Sequence, residues 1–232
     1  MIFDYTVIWD SLPLYFSGLL VTLKLLAISL FFGLLAAVPL ALMRCSKNPA
    51  VNLPAWLYTY VIRGTPMLVQ LFLIYYGLAQ FAVVRESFLW PWLSNATFCA
   101  CAAFAINTGA YTAEILAGSI RATPHGEIEA AKAMGMSRLK MYRRILLPSA
   151  LRRALPQYSN EVIMMLQTTS LASIVTLVDI TGAARTVYSQ YYLPFEAFIT
   201  AGIFYLIMTF TLVRLFKLAE RRWLAYLAPR KH

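Results

Sequence analysis

Five stretches of this chain carry no charged side chain: residues 25–43, 64–84, 87–113, 162–178 and 197–213. Each is long enough, or nearly so, to cross about 30 Å of hydrocarbon as a helix rising about 1.5 Å per residue. None alternates strictly between apolar and polar positions, as a barrel strand does, and backbone groups in lipid must find partners within their own segment. The pattern predicts an all-α polytopic membrane protein with about five transmembrane helices, forming one domain over residues 1–232. The third run opens with Phe88, Trp90, Pro91 and Trp92, an aromatic stretch suited to the membrane–water interface before the span proper.

Composition agrees with this reading. Hydrophobic residues make up 60% of the chain and charged residues 13%, against about 25% charged in soluble domains. The net charge of +10 could suit nucleic acid, but the cations lie in the gaps between apolar runs. Three Lys or Arg fall in residues 44–63, eight in 114–161 and six in the tail; the alternate segments hold Lys24, Arg85 and Arg185. Cytoplasmic loops collect Lys and Arg, which predicts an outer N-terminus and an inner C-terminus, as an odd number of spans requires. Lys24 is expected near the outer end of the first span, where its stem can snorkel to the interface. Asp4 and Asp10 without a nearby cation leave no basic start for a cleavable signal. Cys45, Cys99 and Cys101 are read as small hydrophobes, not as a disulfide or metal set.

The longest inner segment has its own grammar. Glu127 and Glu129 suit a helix N-terminal turn, and the alanines after them favour helix. Gly135 suits a left-handed cap, Ser137 can cap a second helix running to about Leu146, and Pro148 is expected to stop it. Met134, Met136, Leu139, Met141 and Tyr142 are expected to stand exposed between the charges. The residues alone leave two readings open: a docking surface for another protein, or an amphipathic helix on anionic lipid.

The spacing of this segment carries a resemblance. Glu129-Ala130-Ala131, then Gly135 after three residues, Ile145 after nine more, and Leu147-Pro148 resemble the EAA signature of bacterial ABC importer permeases. Arg63-Gly64-Thr65-Pro66 with Gln70, the run 107–118 and the run 148–161 are similar to the polar amino acid branch, with the M-type subunits of histidine and arginine/ornithine uptake nearest. The similarity spans essentially the whole chain. It implies a type I ABC importer permease fold in the bacterial inner membrane, and a substrate among arginine, ornithine, histidine and lysine. The implied partners are a second homologous permease, a cytosolic ATPase dimer and a periplasmic amino-acid-binding protein. It also implies that residues 119–156 form a cytoplasmic coupling loop, in which Glu129, Ala130, Ala131, Met134, Gly135, Met136, Arg138, Ile145 and Pro148 contact or support the ATPase contact.

No phosphate loop of the form G-x-x-x-x-G-K-[ST] is present. The chain is therefore expected to be no enzyme and to need no cofactor, with ATP used by the partner. For solute, ionisable groups at membrane spans are the natural candidates. Glu161 is followed at two helical turns by Gln167, Thr168, Thr169 and Ser170, which interrupt an apolar run. A carboxylate at one end and polar groups at the other would suit a cationic amino acid. Asn107 and Tyr111, at i and i+4, could line the same cavity. The competing account pairs Glu161 with Arg152, Arg153 or a neighbouring subunit and turns the hydroxyls onto carbonyls one turn back. Glu114 is read as paired with a cytoplasmic Arg, Asp179 as a gate, an attractor of cations or a group packed against Arg185, and His125 is given no chemistry. The alternative function is a secondary transporter or channel, against which the lack of a visible internal repeat argues.

Overall fold

A computed structural model describes residues 5–223; Asp4, Arg230 and Lys231 lie outside the described residues. The chain opens with α1 (Tyr5–Arg44), a helix of 40 residues, about 60 Å long. The apolar run expected from residue 25 is its second half, and Lys24 stands exposed on its surface. A single long-stemmed cation does not break a helix, so a charge-free run was too strict a boundary.

The second span differs more. Residues 44–63 were read as a cytoplasmic linker, but they contain α2 (Pro49–Gly64), capped at its start by Asn48. It runs into α3 (Met67–Phe72), a π turn over Leu73–Gly77 and a 3-10 turn over Leu78–Gln80. The two halves are bent by 104° at the break. Thr65 is extended there, with φ −113° and ψ 143°, as the residue before Pro66 tends to be. This corner moves Arg63 from a cytoplasmic linker to the far end of α2 from Lys47.

The short α4 (Ala82–Arg85) follows, and α5 (Trp90–Leu93) falls in the aromatic stretch expected at the interface. The central helix α6 (Ala96–Arg121) follows, capped by Asn95. It lies along α1, where Gly33 and Gly109 let the backbones meet: a Cβ on Gly109 would stand 3.3 Å from the Gly33 carbonyl, and one on Gly33 would collide with Thr108 Cγ2. Next come α7 (His125–Ala133), α8 (Arg138–Met141), a π turn over Tyr142–Leu146 and α9 (Leu147–Thr168). Pro148 does not stop the helix as expected. It sits in the first turn of α9, where a missing N–H costs little, and the wide π turn before it absorbs its ring. A 3-10 stretch, Thr169–Val175, then breaks the rod before α10 (Ile180–Tyr191), and α11 (Pro194–Trp223) closes the chain.

Two helices, α1 and α11, are long and apolar enough to span a membrane by themselves; the bent pairs α2–α3 and α8–α9 with α10 reach that length and hydropathy only when each pair is taken together, as a broken span or a re-entrant loop. The central helix α6, of 26 residues and about 39 Å, is long enough to cross as well. It is less apolar because its neighbours bury much of it. The main core joins α1, α6, α9, α10 and α11 around Tyr15, Leu25, Phe104, Met165, Leu166 and Ile180. Tyr15 Oη donates to the Ala197 carbonyl at 2.8 Å and ties α1 to α11.

Among the described residues Asp179 makes no ion pair with Arg185. It is buried and caps α10, accepting from the backbone N–H of Gly182 (3.0 Å) and Thr181 (3.3 Å) and from Tyr205 Oη (3.0 Å). Arg185 donates instead to the Ser173 carbonyl, satisfying one acceptor freed by the helix break.

Candidate functional site

The corner between α2 and α3 faces α6 and α9 across a cavity of about 370 Å³. Residues 63–67 form one wall, Asn107 and Tyr111 a second, and Glu161, Met164, Met165 and Thr168 a third. The corner is held by one side chain. Gln70 Nε2 donates to the carbonyls of Ile62 (2.6 Å) and Thr65 (3.1 Å) and to Thr65 Oγ1 (2.7 Å). Its Oε1 accepts from Asn107 Nδ2 at 3.0 Å, which locks the corner to α6. Arg63 lies over the Tyr111 ring, 5.1 Å from its centroid, in a cation–π contact. Tyr111 Oη reaches back to the Arg63 carbonyl at 3.4 Å.

Glu161 stands about four turns into α9 rather than at the start of a span. It is buried and accepts a hydrogen bond from Thr108 Oγ1 at 2.8 Å. Among the described residues it makes no ion pair. A carboxylate has about four acceptor positions, so acceptor capacity remains on the cavity side.

The polar cluster after it divides. Thr168 lines the cavity, whereas Gln167, Thr169 and Ser170 do not. The three hydroxyls turn onto carbonyls of the preceding turn: Thr168 onto Met164, Thr169 onto Leu166 and Ser170 onto Gln167. They mark the place where α9 gives way to the 3-10 stretch. Of the expected solute residues, the cavity therefore gathers Glu161, Thr168, Asn107 and Tyr111, and leaves out Gln167, Thr169 and Ser170. Sequence reasoning missed Arg63 because a linker cation looked like topology. The signal was the proline two residues after Gly64, which forces a corner.

Below the cavity, α7 ends in a Schellman turn. Gly135 N–H donates to the Lys132 carbonyl and Met136 N–H to that of Ala131, with Gly135 at φ +68°. Ser137 caps α8 through the Lys140 N–H. Ala131, Met141 and Leu146 form a small core with Ile128, Met136 and Ile145 packed against it. Met136 and Met141 are thus turned inward, contrary to the expected exposure, because the Schellman bond from Met136 N–H to the Ala131 carbonyl folds α8 back onto α7, where Met141 packs with Ala131 and Leu146. Met134, Leu139 and Tyr142 are exposed. Arg153, offered as a partner for Glu161, donates instead to Ser149 Oγ (2.8 Å) and Thr123 Oγ1 (2.6 Å), while Ser149 Oγ donates to Glu127 at 3.3 Å. This chain of bonds ties α7 to the ends of both helices that frame the cavity.

Comparison with known proteins decides what this architecture is. Residues 29–225 match the family model of the binding-protein-dependent transport system inner membrane component. This chain belongs to that family. It is 50% identical over 220 residues to the octopine transport system permease protein OccM of Rhizobium radiobacter, covering 95% of this chain and 90% of that protein. It is 47% identical over 215 residues to the histidine/lysine/arginine/ornithine transport system permease protein HisM of Escherichia coli K12, covering 92% and 90%. A crystal structure of an amino acid ABC transporter with histidines superposes with a TM-score of 0.85 at 37% identity, covering 96% of this chain and 100% of that one. The chain is thus a multi-pass inner-membrane permease with the type I fold, a transport component and not an enzyme. It works with an ATPase and a solute-binding protein, so the alternative of a self-sufficient carrier or channel falls. In this permease the elbow of α7 and α8 runs without a break into α9, the helix that carries Glu161.

Proposed function

We propose that this permease passes basic amino acids, or derivatives that keep both a cation and a carboxylate, through the cavity between Arg63 and Glu161. The observation that carries this reading is the presence of one cation and one under-coordinated acid, from different helices, on the walls of a single cavity. A zwitterion with a cationic side chain meets both needs: its α-carboxylate is drawn to Arg63, and its ammonium or guanidinium to the free lone pairs of Glu161. Asn107, Tyr111 and Thr168 supply the polar remainder of the wall. The names of the relatives, octopine permease and histidine/lysine/arginine/ornithine permease, support this substrate class.

The outward face of α9 supports a second, homologous permease opposite this one. Gln157, Asn160 and Gln167 lie exposed along that face with Met164 between them. Amides on a membrane helix are costly against lipid and are at home beside water or another subunit. Charge asymmetry supports an outer N-terminus and an inner C-terminus. A cytosolic ATPase dimer then grips the elbow through Glu129, Ala130, Met134, Gly135 and Arg138, while Ala131, Met136, Ile145 and Pro148 keep the elbow's shape. A periplasmic amino-acid-binding protein delivers solute from above. Closure of the ATPases moves α7 and α8, and their continuity with α9 carries the movement to Glu161.

The test uses the complete transporter in proteoliposomes. Arg63→Gln and Glu161→Gln should each lower arginine uptake and arginine-stimulated ATP hydrolysis by roughly a hundredfold, at unchanged assembly. Uptake at the wild-type rate in Glu161→Gln would remove the proposal. Gly135→Val, which forces a β-branched residue into a left-handed turn, should assemble yet hydrolyse ATP without accumulating solute.

A further inference from the structure

A second opening, of about 490 Å³, lies between the end of α1 and the stretch joining α8 to α9. Leu42, Leu139 and Leu147 line it together with Ser46, Arg138 and Arg143. Leu42 belongs to the last turn of α1, where that helix leaves its apolar stretch, and it is 39% exposed; Leu139 is 70% exposed. A more polar depression adjoins this groove and shares Leu139 and Arg143 with it, adding Ser137, Lys140 and Arg144. Among the described residues, Arg138, Arg143 and Arg144 make no ion pair and donate no side-chain hydrogen bond. Arg44 and Arg121, by contrast, are both held by Glu114. The outcome is an apolar slot at the membrane edge that opens directly onto a group of unneutralised cations.

We infer that this paired slot and depression is a binding site for an anionic glycerophospholipid, its acyl chain against Leu42, Leu139 and Leu147 and its phosphate headgroup against Arg143, Lys140 and Arg144. A free phosphate would use the cations and gain nothing from the leucines. A zwitterionic lipid would fill the slot but bring a cation to the arginines. A phospholipid with net negative charge satisfies both parts, and basic pockets beside membrane helices recognise such headgroups. The site lies between the elbow and the end of α1, whereas Met134, at the Schellman turn, lines neither opening and is 77% exposed. The elbow is therefore two-sided, with the ATPase at the turn and lipid behind. This inference does not depend on which solute the permease carries.

The experiment counts lipids retained by the purified complete transporter, by native mass spectrometry after incubation with vesicles of phosphatidylglycerol or of phosphatidylcholine. The wild type should retain phosphatidylglycerol in preference. Arg143→Gln should weaken that retention about fivefold, and Ser46→Trp, which fills the slot and leaves every charge in place, should weaken it likewise. Arg214→Gln on α11 removes the same charge elsewhere and should change nothing. Equal retention of phosphatidylcholine, or an equal loss in Arg214→Gln, would overturn the site in favour of diffuse charge. Displacement by soluble glycerol phosphate at the same concentration as lipid would reduce it to a phosphate site and overturn it too. Retention only after the ATPase subunits are stripped away would assign the groove to the ATPase and sink the inference.

Discussion

Two glutamates at two levels of the same bundle show how differently one residue type can be used. Glu114, in the C-terminal half of α6, is held by Arg44 at 2.5 Å and by Arg121 at 3.6 Å, and it accepts from Thr59 Oγ1 at 2.8 Å. Arg44 also reaches Asn52 Oδ1, and the Asn52 amide donates to the carbonyls of Arg44 and Ser46. The knot therefore joins α1, α2 and α6 and leaves neither carboxylate oxygen without a cation beside it. Glu161 has one neutral donor, Thr108, and an open cavity in front of it. An acid surrounded by cations is part of the frame; a buried acid with one hydroxyl and free lone pairs has capacity left for a cation from outside.

The sharpest way to break this contrast is to remove each acid. Glu114→Ala leaves Arg44 without its counter-charge in a mostly buried place and should cost about 3 kcal/mol of stability, seen as a lower unfolding midpoint and less assembled complex. Uptake per assembled complex should stay near normal. A normal midpoint would show that the knot is ornamental. Gly33→Val comes next: its side chain would collide with Thr108 and push apart the α1–α6 contact behind Glu161. It should lower uptake more than tenfold, with a stability loss of about 1–3 kcal/mol from overpacking. Thr108→Val removes only the hydroxyl and should weaken arginine-stimulated ATP hydrolysis about fivefold, the worth of roughly 1 kcal/mol. The smallest effect belongs to Thr59→Val, about 1 kcal/mol or less in the unfolding midpoint, with the dependence of uptake on arginine concentration unchanged. If Thr59→Val shifted that dependence and Thr108→Val did not, the two acids would have exchanged roles.

What could be read from the sequence differs between the elbow and the cavity, for a reason of range. Gly135 and Ser137 act on carbonyls and N–H groups within five residues, so their left-handed turn and cap were legible in the local string. Glu114 was likewise readable as a paired acid, because the cations gathered on either side of it in the chain made an arginine partner close to inevitable. The cavity depends on contacts of long separation: Gln70 with Asn107, Arg63 with Tyr111, Thr108 with Glu161. No periodicity announces these. Arg63 was misplaced because charge-counting treats any cation between apolar runs as a loop residue. The hydroxyls of Thr169 and Ser170 drew notice as polar groups in an apolar run, yet they serve the carbonyls of their own turn.

The sequence by itself determined the solvent and the periods: long apolar runs that only helices can satisfy in lipid, cations that collect between them, and a capped elbow whose geometry is set by neighbours in the chain. Tertiary structure decided which polar residues meet. The 104° corner at Thr65-Pro66, the close approach of Gly33 to Gly109, and the continuity of α8 with α9 through a π turn are outcomes of packing. They fix which side chains share a cavity, because hydrogen bonds and charges act over a few ångströms of space and are indifferent to distance along the chain.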